Sequence, residues 1–145
     1  MNKQELKFIL QSGEGLKVEF KESFDKSISK EIIAFANSSG GRIFLGISDD
    51  GKIKGANPVR ELHLSTSLDK KYLVGRARFS NGVNPTNKLK SQIQDIAKNC
   101  DPAIKIKLKE FKNILIIEIK EGADKPYKCS SGFYLRQGAN SQKMS

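Results

Sequence analysis

Histidine and cysteine are nearly missing from this 145-residue chain, and several kinds of chemistry go with them. His63 is the single histidine and falls in a polar, irregular stretch, so imidazole acid–base catalysis has no support. Cys100 and Cys129 show neither CxxC spacing nor a neighbouring histidine cluster. That pattern suggests neither a zinc motif nor a disulfide framework and reads as two reduced structural thiols. No apolar run approaches the roughly 20 residues that span a bilayer. The opening Met1 to Leu10 has no long apolar segment or small-residue cleavage site, so the expected location is cytoplasmic, without membrane contact. GxxxxGK[ST] does not occur, which removes support for a P-loop. Base-reading helices and RRM-type aromatic signatures are also absent, so DNA and RNA stay equally open as targets.

Positive charge is abundant. Lys and Arg number 26 against 16 acidic residues, a formal net charge of +10. Such a field attracts polyanions, of which nucleic acid is the commonest, although a lysine excess also serves plain solubility. The 37% hydrophobic content suffices for one modest core, in keeping with a single domain over 1–145. Any catalysis would rest on carboxylates.

Hydrophobic spacing outlines the elements. Leu6, Ile9 and Leu10 recur at helical intervals until Gly13 and Gly15, after which Leu16 to Phe20 alternates apolar and charged as a strand does. Ile28, Ile32, Ile33, Phe35 and Ala36 form a second helical stripe that stops at Asn37-Ser38-Ser39-Gly40-Gly41. Two readings of that glycine turn are open: a helix C-cap, or a close backbone approach to phosphate. Arg42 to Ile47 reads as a buried strand, turned by Asp49-Asp50-Gly51 into a hairpin with Lys52 to Gly55. Thr86 can cap a third helix bearing Leu89, Ile93, Ile96 and Ala97. Three strands follow: Ile104, Ile106 and Leu108 alternating with lysines, then the denser Ile114 to Ile119, then Phe133 to Arg136. The fold class is α+β, a mixed or antiparallel sheet packed by about three helices, with a long flexible insertion.

The insertion is Val59 to Pro85, too long and aperiodic for an ordinary connection. It is bracketed by the near-repeats Gly55-Ala56-Asn57-Pro58 and Gly82-Val83-Asn84-Pro85, and its removal joins a short linker to the helix at Thr86. The other reading is a nucleic-acid-binding loop, in which Lys70, Lys71, Arg76 and Arg78 reach phosphates.

Four fragments, taken in order, resemble the divergent AlbA-like domain of the Schlafen family. They are Glu14 to Ser23 (EGLKVEFKES), Ile32 to Gly41 (IIAFANSSGG), Arg42 to Gly51 (RIFLGISDDG) and Gly132 to Asn140 (GFYLRQGAN). The likeness covers nearly the whole chain apart from the insertion and lies in order and spacing. It implies a DNA-binding or transcription-regulating type of domain, often followed by further C-terminal domains. Here the chain stops soon after the last strand, so such additions are not expected.

Some eukaryotic relatives cleave structured RNA with a Glu, Glu, Asp set, and Glu14, Glu19 and Asp49 match those positions. The resemblance thus implies three carboxylates holding one Mg²⁺ or Mn²⁺ ion, which activates water and screens a phosphodiester. Those relatives grip RNA with two domain halves, so one chain of this length would need a homodimer. The plainer reading makes Glu14 a helix-end residue, Glu19 a partner of a lysine, and Asp49 with Asp50 a turn.

For binding, the expected contacts are Lys17, Lys21, Arg42, Tyr134 and Arg136. Lys21 shares a strand face with Glu19, and Tyr134 with Arg136 offers stacking and phosphate contact if that pair faces outward. Three functions are therefore open. The first is a backbone-binding module, the second a metal-dependent endoribonuclease, and the third a remnant disabled by its insertion and early stop.

Overall fold

A computed structural model of the protein describes residues 1–56 and 85–144, with side chains from 87 onward in the second stretch. Among these residues the chain forms α1 (Lys3–Ser12), β1 (Val18–Lys21), α2 (Ile28–Asn37), β2 (Gly41–Leu45) and α3 (Pro85–Lys98). It continues with β3 (Ile106–Phe111), β4 (Ile114–Ile119), β5 (Lys128–Cys129), β6 (Gly132–Gln137) and β7 (Asn140–Lys143). The α+β expectation holds, with three helices among the described residues. The inserted stretch read at Val59 to Pro85 lies outside them, except that Pro85 opens α3. No described helix is long and apolar enough to cross a membrane.

β1 to β4 make one mixed sheet in the order β1-β2-β4-β3. β1 and β2 run parallel because α2 carries the chain back between them, while β2–β4 and β3–β4 are antiparallel. β4 is central and reads Ile-Leu-Ile-Ile-Glu-Ile, buried at every residue but Glu118, as a strand covered on both faces requires. β3 is an edge strand, and its lysines alternate with Ile106 and Leu108.

The two faces differ. Below the sheet, α2 and α3 pack Ile32, Ile33, Phe35, Leu89 and Ile93 against Ile43, Leu45, Leu115 and Ile117. Above it, α1 packs Leu6 and Ile9 on Phe20, Phe44, Ile114 and Ile116. α1 is held at its start by the Asn2 side chain, which accepts from the Glu5 N–H at 2.8 Å, and ends at Gly13, whose φ of 76° suits glycine.

Two sequence expectations are corrected. The Phe133 to Arg136 strand does not join the main sheet; it is the middle of a separate antiparallel sheet, β5-β6-β7, that covers the outer side of α2. Ile32 to Ala36 are all fully buried, so over this stretch α2 is apolar around its whole circumference and needs cover on both sides. The hairpin after β2 shrinks to a single bridge, Ile47 to Ile53. Both edges of β2 are already paired, with β1 and β4, so the returning chain finds no free ladder.

Asn37 fastens the second sheet. Its Nδ2 donates to the carbonyls of Tyr127 and Tyr134, each at 2.9 Å, and its Oδ1 accepts from the Tyr127 N–H at 2.7 Å. The glycine turn that follows is a helix cap, with the Gly40 N–H donating to the Phe35 carbonyl at 2.9 Å. Gly41 must be glycine for space, since a Cβ there would lie 2.5 Å from the Phe35 ring.

Candidate functional site

Registers on the upper face place Val18, Arg42, Glu118 and Lys107 in one row across the four strands. α1 covers the neighbouring Phe20, Phe44 and Ile116 row and leaves this one open. The result is a groove of about 590 Å³ walled by Lys17, Arg42, Lys105, Lys107, Lys109 and Lys120, with Ser39 and Gly41 from the glycine turn. Six cations thus face a single carboxylate, Glu118. A hydrogen bond from Lys109, together with the charges of Lys109, Lys107 and Arg42, holds the Glu118 carboxyl below its ordinary range.

Two of the six cations have carboxylate partners: Lys109 reaches Glu118 at 2.9 Å and Arg42 reaches Glu5 at 3.1 Å. Arg42 also lies over the Phe44 ring at 5.4 Å, so it braces the groove floor against α1. Lys17, Lys105, Lys107 and Lys120 enter no ion pair among the described residues. Around the edge of β3 a second hollow of about 440 Å³ adds Lys90 and Lys98 beside the shared Lys107. No aromatic side chain lines either hollow among the described residues.

The carboxylates gather at the β1 edge. Glu14 accepts the Phe20 N–H at 3.1 Å, which turns it back onto the strand it precedes. Burial pushes its carboxyl up to about 7, helped by a hydrogen bond with Glu19 and by the charges of Glu19 and Asp49. Glu19 is buried and its Oε1 takes a 2.9 Å bond from Nη1 of Arg136. Asp49 sits exposed in the turn after β2. Glu31 on α2 joins the region: burial raises its carboxyl, and Lys21 pairs with it at 3.8 Å.

Of the three predicted metal ligands, Glu14 therefore lies within electrostatic reach of both Glu19 and Asp49. Among the described residues, however, no group of three His, Cys, Asp or Glu side chains is close enough to hold one ion. Chemistry explains the misfit. Burial and the neighbouring Glu19 raise the Glu14 carboxyl to about 7, which disfavours its charged form, and Glu19 already neutralises an arginine whose side chain is fully buried. Both would have to be freed before they could serve a cation.

Arg136 is the largest correction. The outward reading of Tyr134 and Arg136 is reversed: both are buried, while Phe133 and Leu135 are the partly exposed pair. Its guanidinium donates to Glu19, to Ser141 Oγ at 3.1 Å, to the Gly15 carbonyl at 2.9 and 3.2 Å and to the Val18 carbonyl at 2.9 Å. It also covers the Phe35 ring at 4.7 Å. No donor is left for a phosphate. Tyr134 is similarly engaged, with Lys30 over its ring at 5.8 Å.

Of the predicted contacts, then, the structure brings Lys17 and Arg42 into one groove and puts Lys21, Tyr134 and Arg136 elsewhere. Lys105, Lys107, Lys109 and Lys120 were not named individually from the sequence. The signal for the first three was the lysine alternation along Ile104 to Leu108, which marks one face of a strand, whereas Lys120 after β4 carried none.

Comparison with known proteins supplies the lineage. No curated protein matches the chain. Among solved structures, the crystal structure of the DIP2311 protein from Corynebacterium diphtheriae superposes with a TM-score of 0.54 at 17% identity, over 89% of this chain. That match spans 22% of the larger protein, so it speaks to the fold alone. The family model described as Schlafen, AlbA_2 matches residues 14–145, from the first glutamate of the cluster through the second sheet, and the chain belongs to that family.

Proposed function

We propose that the protein binds the phosphate backbone of nucleic acid in the groove above the sheet, with little sequence readout. The observation that carries this reading is six cations against one carboxylate, four of them without ion-pair partners among the described residues. Lysine ammonium groups in a concave site focus a field on a polyanion, and each phosphate engaged releases condensed counterions. Family membership fits a nucleic-acid-binding domain in general. A transcription-regulating role is the finer form of the same reading.

The test is binding of labelled tRNA, single-stranded DNA and duplex DNA at two salt concentrations, by wild type and by a Lys107→Glu, Lys120→Glu variant. Steep salt dependence in the wild type and at least tenfold weaker binding by the variant is the expected result. Equal binding by both proteins removes the groove from the function.

The runner-up is a nuclease. Its supporting observation is the Glu14–Glu19 pair with Asp49 in charge range and a carboxyl shifted to about 7, a perturbation typical of reactive sites. Its obstacle is the ligand set, since Glu19 is bound to Arg136 and no three such side chains are close enough to hold one ion among the described residues. Fragments of tRNA that require Mg²⁺ or Mn²⁺ and vanish in Glu19→Gln would establish it. Intact tRNA with both ions would end it.

A further inference from the structure

Resting on the backbone-binding reading, we infer that the groove engages one strand of the nucleic acid, whose consecutive phosphates follow the lysine ladder of β3. Lys107 and Lys109 occupy alternate positions on the edge strand β3, Lys105 precedes them at the same interval just before the strand, and all three line one groove. Alternate residues of a strand stand about 7 Å apart, which is on the order of the spacing of adjacent phosphates along one strand. The facing cations are close. Lys105 and Lys120 adjoin the terminal β3–β4 pair, Ile106 with Ile119, whose strands are one spacing or about 4.8 Å apart, and both wall the groove. Arg42 is two spacings from Lys107, about 10 Å, with Glu118 between them.

Lys105 and Lys120 therefore clasp one backbone from two sides; they are too near each other to hold separate strands across a duplex groove. With no aromatic in the wall among the described residues, bases find no stacking surface there and point away, free to pair. The partner is thus any polynucleotide that presents one charged strand, paired or unpaired.

The experiment uses the full chain and three 15-nucleotide probes: oligothymidylate, its all-phosphate duplex, and a duplex whose second strand is charge-free methylphosphonate. Affinities within about fivefold across the three are expected. Lys105→Ala and Lys107→Ala should each lower the salt slope on the single strand by about 0.7. A loss above about a hundredfold on the half-neutral duplex overturns the one-strand path, as does a ladder whose removal changes nothing while Lys17→Ala and Lys120→Ala weaken binding. In both of those outcomes the groove reading stands. If neither set of substitutions alters binding, the groove reading itself fails.

An independent observation concerns the two thiols, which we propose form an intramolecular disulfide when the protein meets a hydroperoxide. Asp101 and Lys128 exchange both backbone hydrogen bonds, at 2.9 and 2.8 Å, so they are a hydrogen-bonded antiparallel pair. Cys100 and Cys129 are the next residues outward and stand opposite each other as a non-hydrogen-bonded pair, where backbones approach most closely. Asp101 and Lys128 form an ion pair on the outer side, and the two cysteines share the other side, against the same core cluster. The Cys129 charge raises the Cys100 thiol, already pushed up to about 11 chiefly by burial, which agrees with their proximity.

The half-exposed Cys129 attacks the peroxide oxygen as thiolate, giving a sulfenic acid and releasing the alcohol. Cys100 then displaces water to form the S–S bond, so two thiols lose two electrons to one peroxide. The product staples the end of α3 to β5. Hydrogen peroxide treatment followed by intact mass should show a monomer lighter by two hydrogens, with both thiols lost together and restored by dithiothreitol. Cys100→Ser should instead accumulate sulfinic acid on Cys129. Sulfinic acid on wild-type Cys129 with Cys100 still reduced, or a disulfide between two chains, overturns the proposal.

Discussion

The protein holds two cationic regions on opposite sides of one sheet, and they use charge in contrary ways. Below, Arg136 is wholly buried and every contact it makes is internal: a carboxylate, a hydroxyl, two carbonyls and an aromatic face. Above, Lys17, Lys105, Lys107 and Lys120 stand exposed beside a groove. Guanidinium suits the first task because its planar fork satisfies several acceptors at once, and it is less strongly hydrated than ammonium. Lysine suits the second, where a mobile point charge adjusts to a phosphate. A cation's sequence context says little about which kind it is.

Breaking the buried side should produce the largest effect. Arg136→Met leaves Glu19 and three backbone acceptor contacts without a partner and should cost about 3–5 kcal/mol of stability by denaturant titration. Pairing it with Glu19→Gln should recover part of that loss, because the uncompensated carboxylate is gone. Groove salt dependence, measured on the folded fraction, should stay as in wild type. Next in size is Asn37→Ala, which orphans two buried carbonyls and one N–H; about 2–4 kcal/mol is expected in the same titration.

A third prediction uses pH. The folded-state Glu14 carboxyl lies at about 7, above its ordinary 4.5, so the folded protein holds more protons than the unfolded chain between those values. Its contribution is complete below pH 4.5 and is lost as pH rises through about 7. The melting temperature of Glu14→Gln relative to wild type should therefore climb across that window; a flat difference would show that the carboxyl is not shifted. The smallest effect belongs to the open side: Lys107→Ala should change stability by under about 0.5 kcal/mol while weakening nucleic-acid binding, which sharpens the division between the two regions.

Much of this was legible in the chain. Helix and strand periods in Leu6 to Leu10, Ile28 to Ala36, Leu89 to Ala97 and Ile114 to Ile119 each sit on a real element, because burial of one face leaves a period in the sequence. The lysines alternating with Ile104, Ile106 and Leu108 marked the groove wall for the same reason. Tyr134 and Arg136 were misread because alternation defines two faces and does not say which is inside. An arginine on the inner face looks like an outer residue until Glu19 and the Gly15 carbonyl are found waiting for it.

The sequence alone determined the class of fold, the family and the excess of positive charge, since these follow from periodicity, ordered motifs and composition. Tertiary structure decided which charges are available. Glu19 and Arg136 are 117 residues apart and neutralise each other, whereas Lys17 and Lys120, also remote in the chain, are brought to one groove where neither enters an ion pair among the described residues. Charge pairing depends on distances of a few ångströms between remote segments, and only the folded sheet sets those distances.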